Sequence, residues 1–200
     1  MTGRGRLGLV ALVAIIAIGA AAAIGYQIAR GGAQSPATSL AIGGPIDLTA
    51  ETGRRFTSAD LGGKPFAVFF GFTHCPNVCP TTLSDLTLDL GQLGPLADRL
   101  KVLFVTVDPE RDTPQSLKDY LTAFDPRITG LSGTADEIAS LAKAYRVFYQ
   151  KVPTEGGDYT MNHTATVFLM NGKGALSGTI SLEEEQAVRV AKLKRLAETG

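Results

Sequence analysis

FAVFFGFTHCPNVCP, residues 66–80, joins a strand to a helix with two cysteines in the joint. Phe66 to Phe72 is a near-continuous apolar run, the pattern of a strand buried on both faces. Downstream, Leu83, Leu86, Leu90 and Leu93 recur at helical spacing, and Gly94-Pro95 stops that helix. Pro80 fits its first turn, where a missing N–H costs nothing. Cys79 is then expected at or near the N-cap, where the partial positive charge of the helix end favours thiolate over thiol.

Working outward, Val102 to Asp108 reads as a second buried strand. Thr113 as N-cap and Pro114 at the first position open a helix with Leu117, Tyr120, Leu121 and Phe124 on one face. Thr134 and Glu137 form a capping-box pattern ahead of Ile138, Leu141 and Tyr145. Thr166–Met170 and Ala175–Ile180 bracket Asn171-Gly172, a strong hairpin signal. Ser181 and Glu184 form another capping box, opening a last helix that reaches about Glu198. Upstream, Ile46–Leu48 and Arg54–Thr57 flank a Thr-Gly turn. The order is hairpin, βαβ, helix, β-hairpin, helix. A crossover makes strands 66–72 and 102–108 parallel, so a mixed central sheet with helices on both faces follows. The expected class is α/β, a thioredoxin-like fold with an N-terminal β-hairpin extension.

The N-terminus differs from this domain. Residues 7–29 carry no charge, and as a helix they reach roughly 34 Å, enough to cross a bilayer core. Arg4 and Arg6 precede them, which holds the N-terminus in the cytoplasm and sends the rest across. The expected organisation is a cytoplasmic stub at 1–6, a transmembrane anchor at 7–29, a Gly/Ala/Ser/Pro tether at 30–44 and one domain at 45–200. A cleaved signal peptide is the competing reading, with small residues available at Ala20 to Ala23; the apolar run is long for one. Either way the domain lies outside the cytoplasm. Lysine plus arginine equals aspartate plus glutamate at 19 each, so the basic excess of a nucleic-acid-binding protein is missing.

The chain has two cysteines and two histidines. Cys75 and Cys79 are spaced by three residues, where thioredoxin-type oxidoreductases have two. On a turn of near-helical pitch both sulfurs face the same way, to grip one metal ion or to close a disulfide if the backbone permits. A purely structural disulfide would close a very short loop, where the chain-entropy gain is least. His163 is the candidate third ligand. If strand 166–170 runs antiparallel to 66–72, His163 stands over the cysteine loop; a satisfied core or surface histidine is the competing reading, and the residues alone do not choose. Two sulfurs and an imidazole suit copper, whereas structural zinc takes four protein ligands. Met161 as a further ligand is outweighed by packing, and His74 is expected to point away from Cys75.

Together, GFTHCPNVCP (71–80), VTVDPERDTP (105–114) and NHTATVFLM (162–170) resemble the Sco/SenC family of cytochrome c oxidase assembly proteins, over about residues 40–198. The resemblance implies a thioredoxin-like fold, an N-terminal anchor in the inner (plasma) membrane with the domain in the periplasm or equivalent space, and one copper ion on Cys75, Cys79 and His163. It implies delivery of copper to the dinuclear centre of oxidase subunit II, or reduction of that subunit's cysteines by Cys75 and Cys79 as a redox-active pair. An upstream copper donor or thiol reductant is implied as a further partner. Asn162 departs from the acidic residue that many members have before the histidine. No proline falls between Thr160 and Met170, where thiol-exchange enzymes place a cis-proline facing the cysteines, and His163 occupies that region instead. The DPERDTP stretch reads as structural, with Asp108 near the site. The leading expectation is a metallochaperone, not an enzyme in the strict sense. A thiol–disulfide oxidoreductase and a redox or copper sensor are the alternatives; a peroxidase lacks the local arginine and threonine motif it needs.

Overall fold

The computed structural model describes residues 42–200, with Gly19 alone from the N-terminal segment. The anchor expected at 7–29, and the tether up to residue 41, lie outside the described residues. Among the described residues no helix is long and apolar enough to cross a membrane.

The elements are β1 (Asp47–Ala50), β2 (Arg55–Thr57), β3 (Phe66–Gly71), α1 (Val78–Leu93), β4 (Lys101–Thr106), α2 (Pro114–Leu121), β5 (Ile128–Ser132), α3 (Ala135–Tyr145), β6 (Tyr149–Pro153), β7 (Tyr159–His163), β8 (Val167–Met170), β9 (Leu176–Ile180) and α4 (Gln186–Thr199). Seven strands form one sheet in the order β2-β1-β5-β4-β3-β8-β9, and β6 and β7 form a separate two-stranded sheet. β3, β4 and β5 are parallel neighbours; β8 runs antiparallel to β3, with Val167 opposite Phe69 and Met170 opposite Phe66.

All six residues of β3 are buried, because the sheet is covered on both sides. On one face Phe69 stacks on Phe104 at 6.0 Å, and Phe104 meets Tyr120 of α2 at 5.9 Å. On the other face Phe70 meets Tyr145 of α3 at 5.4 Å and Phe168 of β8 at 6.2 Å. α1 lies on the Phe69 face, and α4 is tied to it by Arg189, whose Nε donates to the fully buried Asp89 at 2.8 Å. Thr113 and Thr134 cap α2 and α3 as the sequence predicts, the latter in a complete capping box with Glu137.

Outside the cysteine segment the structure departs from the sequence reading at four places. β5 was not expected: its segment ITGLS is interrupted by Gly130, which the packing requires, since a β-carbon there would stand 2.7 Å from the Leu121 side chain. β6 and β7 were not expected either. β6 is largely exposed, β7 buries only Met161, and both stand outside the main sheet, so neither carries the apolar run of a core strand. The Asn171-Gly172 hairpin forms as a five-residue loop. Asn171 Oδ1 accepts from the amides of Lys173 and Ala175, and the left-handed residue is Gly174, not Gly172. The last helix starts at Gln186. Ser181 N–H does donate to Glu184 Oε1 at 2.9 Å, but this closes a turn, and the Glu184 carboxylate and carbonyl are taken by Lys192 and Arg189 from within the helix.

Candidate metal centre

The antiparallel pairing of β8 with β3 brings the end of β7 beside the exit of β3. At that exit Gly71 leaves room that a side chain would fill: a β-carbon would lie 2.8 Å from Cys79 Sγ and 2.7 Å from the Phe104 ring. The chain then turns through Thr73 and His74, and Cys75 N–H donates to Phe72 O at 3.3 Å. α1 starts at Val78 with Asn77 as its N-cap, so Cys79 is the second helical residue and Pro80 the third. This shifts the expected N-cap by two positions. Pro80 still falls in the first turn, where no intrahelical N–H is missed.

The three predicted ligands converge. Cys79 Sγ lies 3.6 Å from His163 Nε2, and one ligand atom each from Cys75, Cys79 and His163 lie within 4.8 Å of one another. His163 Nδ1 is 3.0 Å from Thr164 O. A carbonyl only accepts, so Nδ1 carries the proton and Nε2 turns its lone pair to the sulfurs. Phe72 stands edge-on to the imidazole at 5.7 Å and Phe69 at 6.2 Å, fixing the ring plane from two sides.

The charge sits on the cysteine that the sequence did not favour. The Cys75 thiol is pushed down to about 5, chiefly because its sulfur accepts from the Cys79 side chain; the Cys79 and Asn77 amides add to this against the cost of burial. Cys79 N–H points at Cys75 Sγ at 3.4 Å. Cys79 is pushed up by its side-chain hydrogen bond to Cys75 and by complete burial. The helix N-terminus thus stabilises the sulfur it points at, not the one riding on it.

Cys75 is partly exposed and borders an open depression of about 230 Å3 that Phe72, Pro76, Asn77, Thr160 and His163 also line. Met161 is buried in the core and His74 is turned outward, its Nδ1 3.1 Å from Thr73 Oγ1. His74 stands outside the cluster of Cys75, Cys79 and His163, and Met161 lines the same depression as Cys75 and His163. Asn162 is exposed.

Sequence reasoning missed how the site is held. Asp112, fully buried, accepts from Thr73 N–H at 3.0 Å, from Thr73 Oγ1 at 2.6 Å and from Thr106 Oγ1 at 2.6 Å, which fixes the turn two residues before Cys75. The available signal was an aspartate in a polar loop that follows a buried strand, which does not name its distant partner.

Known proteins resemble this chain in sequence and fold. The SCO1/SenC family profile matches residues 34–198. The mitochondrial SCO1 homologue of Homo sapiens is 40% identical over 137 residues, 66% of this chain and 45% of that protein. The mitochondrial SCO1 homologue 1 of Arabidopsis thaliana is 40% identical over 136 residues, 68% of this chain and 41% of that protein. The chain therefore spans less than half the length of these curated relatives. Copper-bound ScoI of Bradyrhizobium japonicum superposes with a TM-score of 0.73 at 47% identity, covering 78% of this chain and 99% of that one. Copper-bound yeast Sco1 gives 0.72 at 36% identity, covering 80% and 90%. With the profile match over most of the chain and the thioredoxin-like α/β fold in common, this protein belongs to the SCO1/SenC family.

Proposed function

We propose that this protein is a copper metallochaperone for the dinuclear copper centre of cytochrome c oxidase, carrying one copper ion as cargo on Cys75, Cys79 and His163. The observation that carries this reading is the convergence of two sulfurs and one imidazole nitrogen within 4.8 Å. The donor set is soft and three-membered. It suits Cu(I) through the sulfurs and tolerates Cu(II) through the nitrogen, and it falls short of the four ligands of structural zinc. Cys75 faces the open depression, so a partner's ligand can enter there and displace the protein's ligands one at a time. His163 offers a neutral Nε2 without rearrangement, because Nδ1 is already committed to Thr164 O. On this reading residues 1–6 stay in the cytoplasm, 7–29 anchor the chain in the inner membrane, and 30–44 tether the copper domain at 45–200 in the periplasm or equivalent space. There it faces oxidase subunit II and an upstream donor.

A second reading is favoured by one observation, the Cys75 thiol lowered to about 5 beside a protonated Cys79. That is a nucleophile with a resolving thiol next to it. Cys75 thiolate would attack a partner disulfide, releasing one partner sulfur. Cys79 would then displace the other, leaving a Cys75–Cys79 disulfide here and two thiols on the partner, with Cys79 supplying one proton and solvent the rest.

His163 separates the two. Replacing His163 by Ala should abolish tight Cu(II) binding and its sulfur-to-copper charge-transfer band, and leave dithiol–disulfide exchange by Cys75 and Cys79 largely intact. Cys75→Ser or Cys79→Ser should remove both. The measurement is titration of the purified protein with Cu(I), Cu(II) and Zn(II). A His163→Ala protein with unchanged copper stoichiometry and spectrum, or a wild type that prefers zinc, would overturn the three-ligand copper site.

A further inference from the structure

The loop between β4 and α2 touches both walls of the site. Asp112 holds the cysteine wall through Thr73. Arg111, the residue before it, holds the histidine wall. Its Nε donates to Asp108, its Nη1 donates to the Tyr159 carbonyl at 2.9 Å and lies 3.3 Å from Asp158 Oδ1, and its guanidinium carbon stands 3.7 Å from the centre of the Tyr159 ring. Tyr159 Oη closes the ring by donating to the buried Asp108 at 2.9 Å. Tyr159 opens β7, and His163 closes it. The same guanidinium lies 6.0 Å from the Phe72 ring, whose edge-on partner at 5.7 Å is the His163 imidazole. Arg111 therefore reaches His163 along β7 and across Phe72.

The location of the hairpin makes this matter. β6 and β7 pair only with each other, so the seven-stranded sheet holds the hairpin only through β8, which follows His163, and the Tyr159 end of β7 has no strand partner in that sheet. The cysteines are fixed by β3 and α1. Core packing of Met161 and side-chain contacts at Tyr159 complete the docking of the hairpin. Arg is suited to it, since its planar fork gives directed hydrogen bonds and a face for stacking.

We infer that Arg111 is the positioning residue that docks the β6–β7 hairpin and so holds His163 at ligand distance from Cys75 and Cys79. The inference rests on the three-ligand reading above. If the clamp opens, the sulfurs stay together and the nitrogen is lost. Two sulfurs still suit Cu(I), whereas Cu(II) needs the imidazole. Loss of an outer partner that orients a metal ligand lowers affinity by about 10- to 100-fold.

The test compares full-length wild type with Arg111→Gln, Arg111→Lys and Tyr159→Phe. Leu86→Ala, which removes a buried α1 side chain, serves as a variant that weakens the fold away from the hairpin. Arg111→Gln should weaken Cu(II) binding by about 10- to 100-fold and erase the imidazole nitrogen splitting from the Cu(II) electron paramagnetic resonance spectrum. Cu(I) affinity should stay within about threefold. In the metal-free protein the nuclear Overhauser contact between the Phe72 and His163 rings should fade. Arg111→Lys keeps the charge without the planar stack and should restore the splitting only in part. Leu86→Ala should lower Tm and move none of these. If Arg111→Gln keeps both the nitrogen splitting and the ring contact, or if Leu86→Ala loses them equally, Arg111 does not position His163. Should Arg111→Gln not fold, Tyr159→Phe decides, since unchanged splitting and ring contact there contradict the clamp. A wild type that binds no copper would sink the functional reading instead, and the metal-free ring contact would still judge Arg111.

Discussion

In the reduced protein Cys75 carries the thiolate and Cys79 the buried proton, because the sulfur–sulfur hydrogen bond has one donor and one acceptor and only Cys75 has solvent beside it. A thiol lowered to about 5 is largely ionised at neutral pH. Below that value it protonates and loses its nucleophilicity. Brief treatment of the metal-free protein with iodoacetamide at pH 7 should therefore label Cys75 ahead of Cys79, with the rate falling to half near pH 5. Peptide mass mapping across pH checks this, and first labelling at Cys79 would contradict it. The two cysteines were legible in the sequence because strand, helix start and prolines all converge on them locally. Which of them is charged was not legible. It depends on where the helix amides point, and that was settled by a two-residue shift in the helix start. His163 was legible only through strand pairing and family resemblance. The DPERDTP stretch was legible as structural, but what Arg111 and Asp112 hold was not, because those partners lie 48 and 39 residues away.

Among the elements, β3 and β4 declared themselves by length and apolar content, and α2 and α3 by their caps. β5 was hidden by Gly130, which opens room for Leu121 but breaks the apolar run. The β6–β7 hairpin was hidden for the opposite reason: it gives the core only Met161 as a buried residue, so its apolar signal is faint. The two helices on the Phe69 face that are farthest apart in sequence, α1 and α4, are joined through charge. Asp89 has no exposure, and Arg189 contacts Asp89, Asp85 and the Glu184 carbonyl. A buried ion pair gains little over an apolar pair, but half of one costs about 3–5 kcal/mol. Arg189→Leu alone should destabilise by about that amount in urea titrations, and Asp89→Leu combined with Arg189→Leu should recover most of it. A single variant as stable as wild type would mean that water or Asp85 relieves the stranded carboxylate.

Across the whole molecule, the sequence gives α/β class, the parallel βαβ unit and the antiparallel return strand, and the structure agrees with each. What it did not yield was the second sheet, and with it the division of the metal centre between two bodies. The cysteines belong to the core and the histidine to an appended hairpin. One short polar loop, residues 108–112, reaches both.

That division has a consequence in time as well as in space. Cys79 and His163 are 84 residues apart, and the imidazole comes into range only after β8 has paired with β3, a non-local contact that closes late in folding. The expected outcome is a ligand set completed only after the transition state, with the metal rewarding only the finished fold. Copper should slow unfolding and leave the refolding rate of the wild-type protein unchanged. Stopped-flow refolding and unfolding with and without bound copper would measure both arms, and accelerated refolding would mean that the site organises early. With refolding unchanged, loading follows folding, and copper enters a finished fold and not an emerging chain.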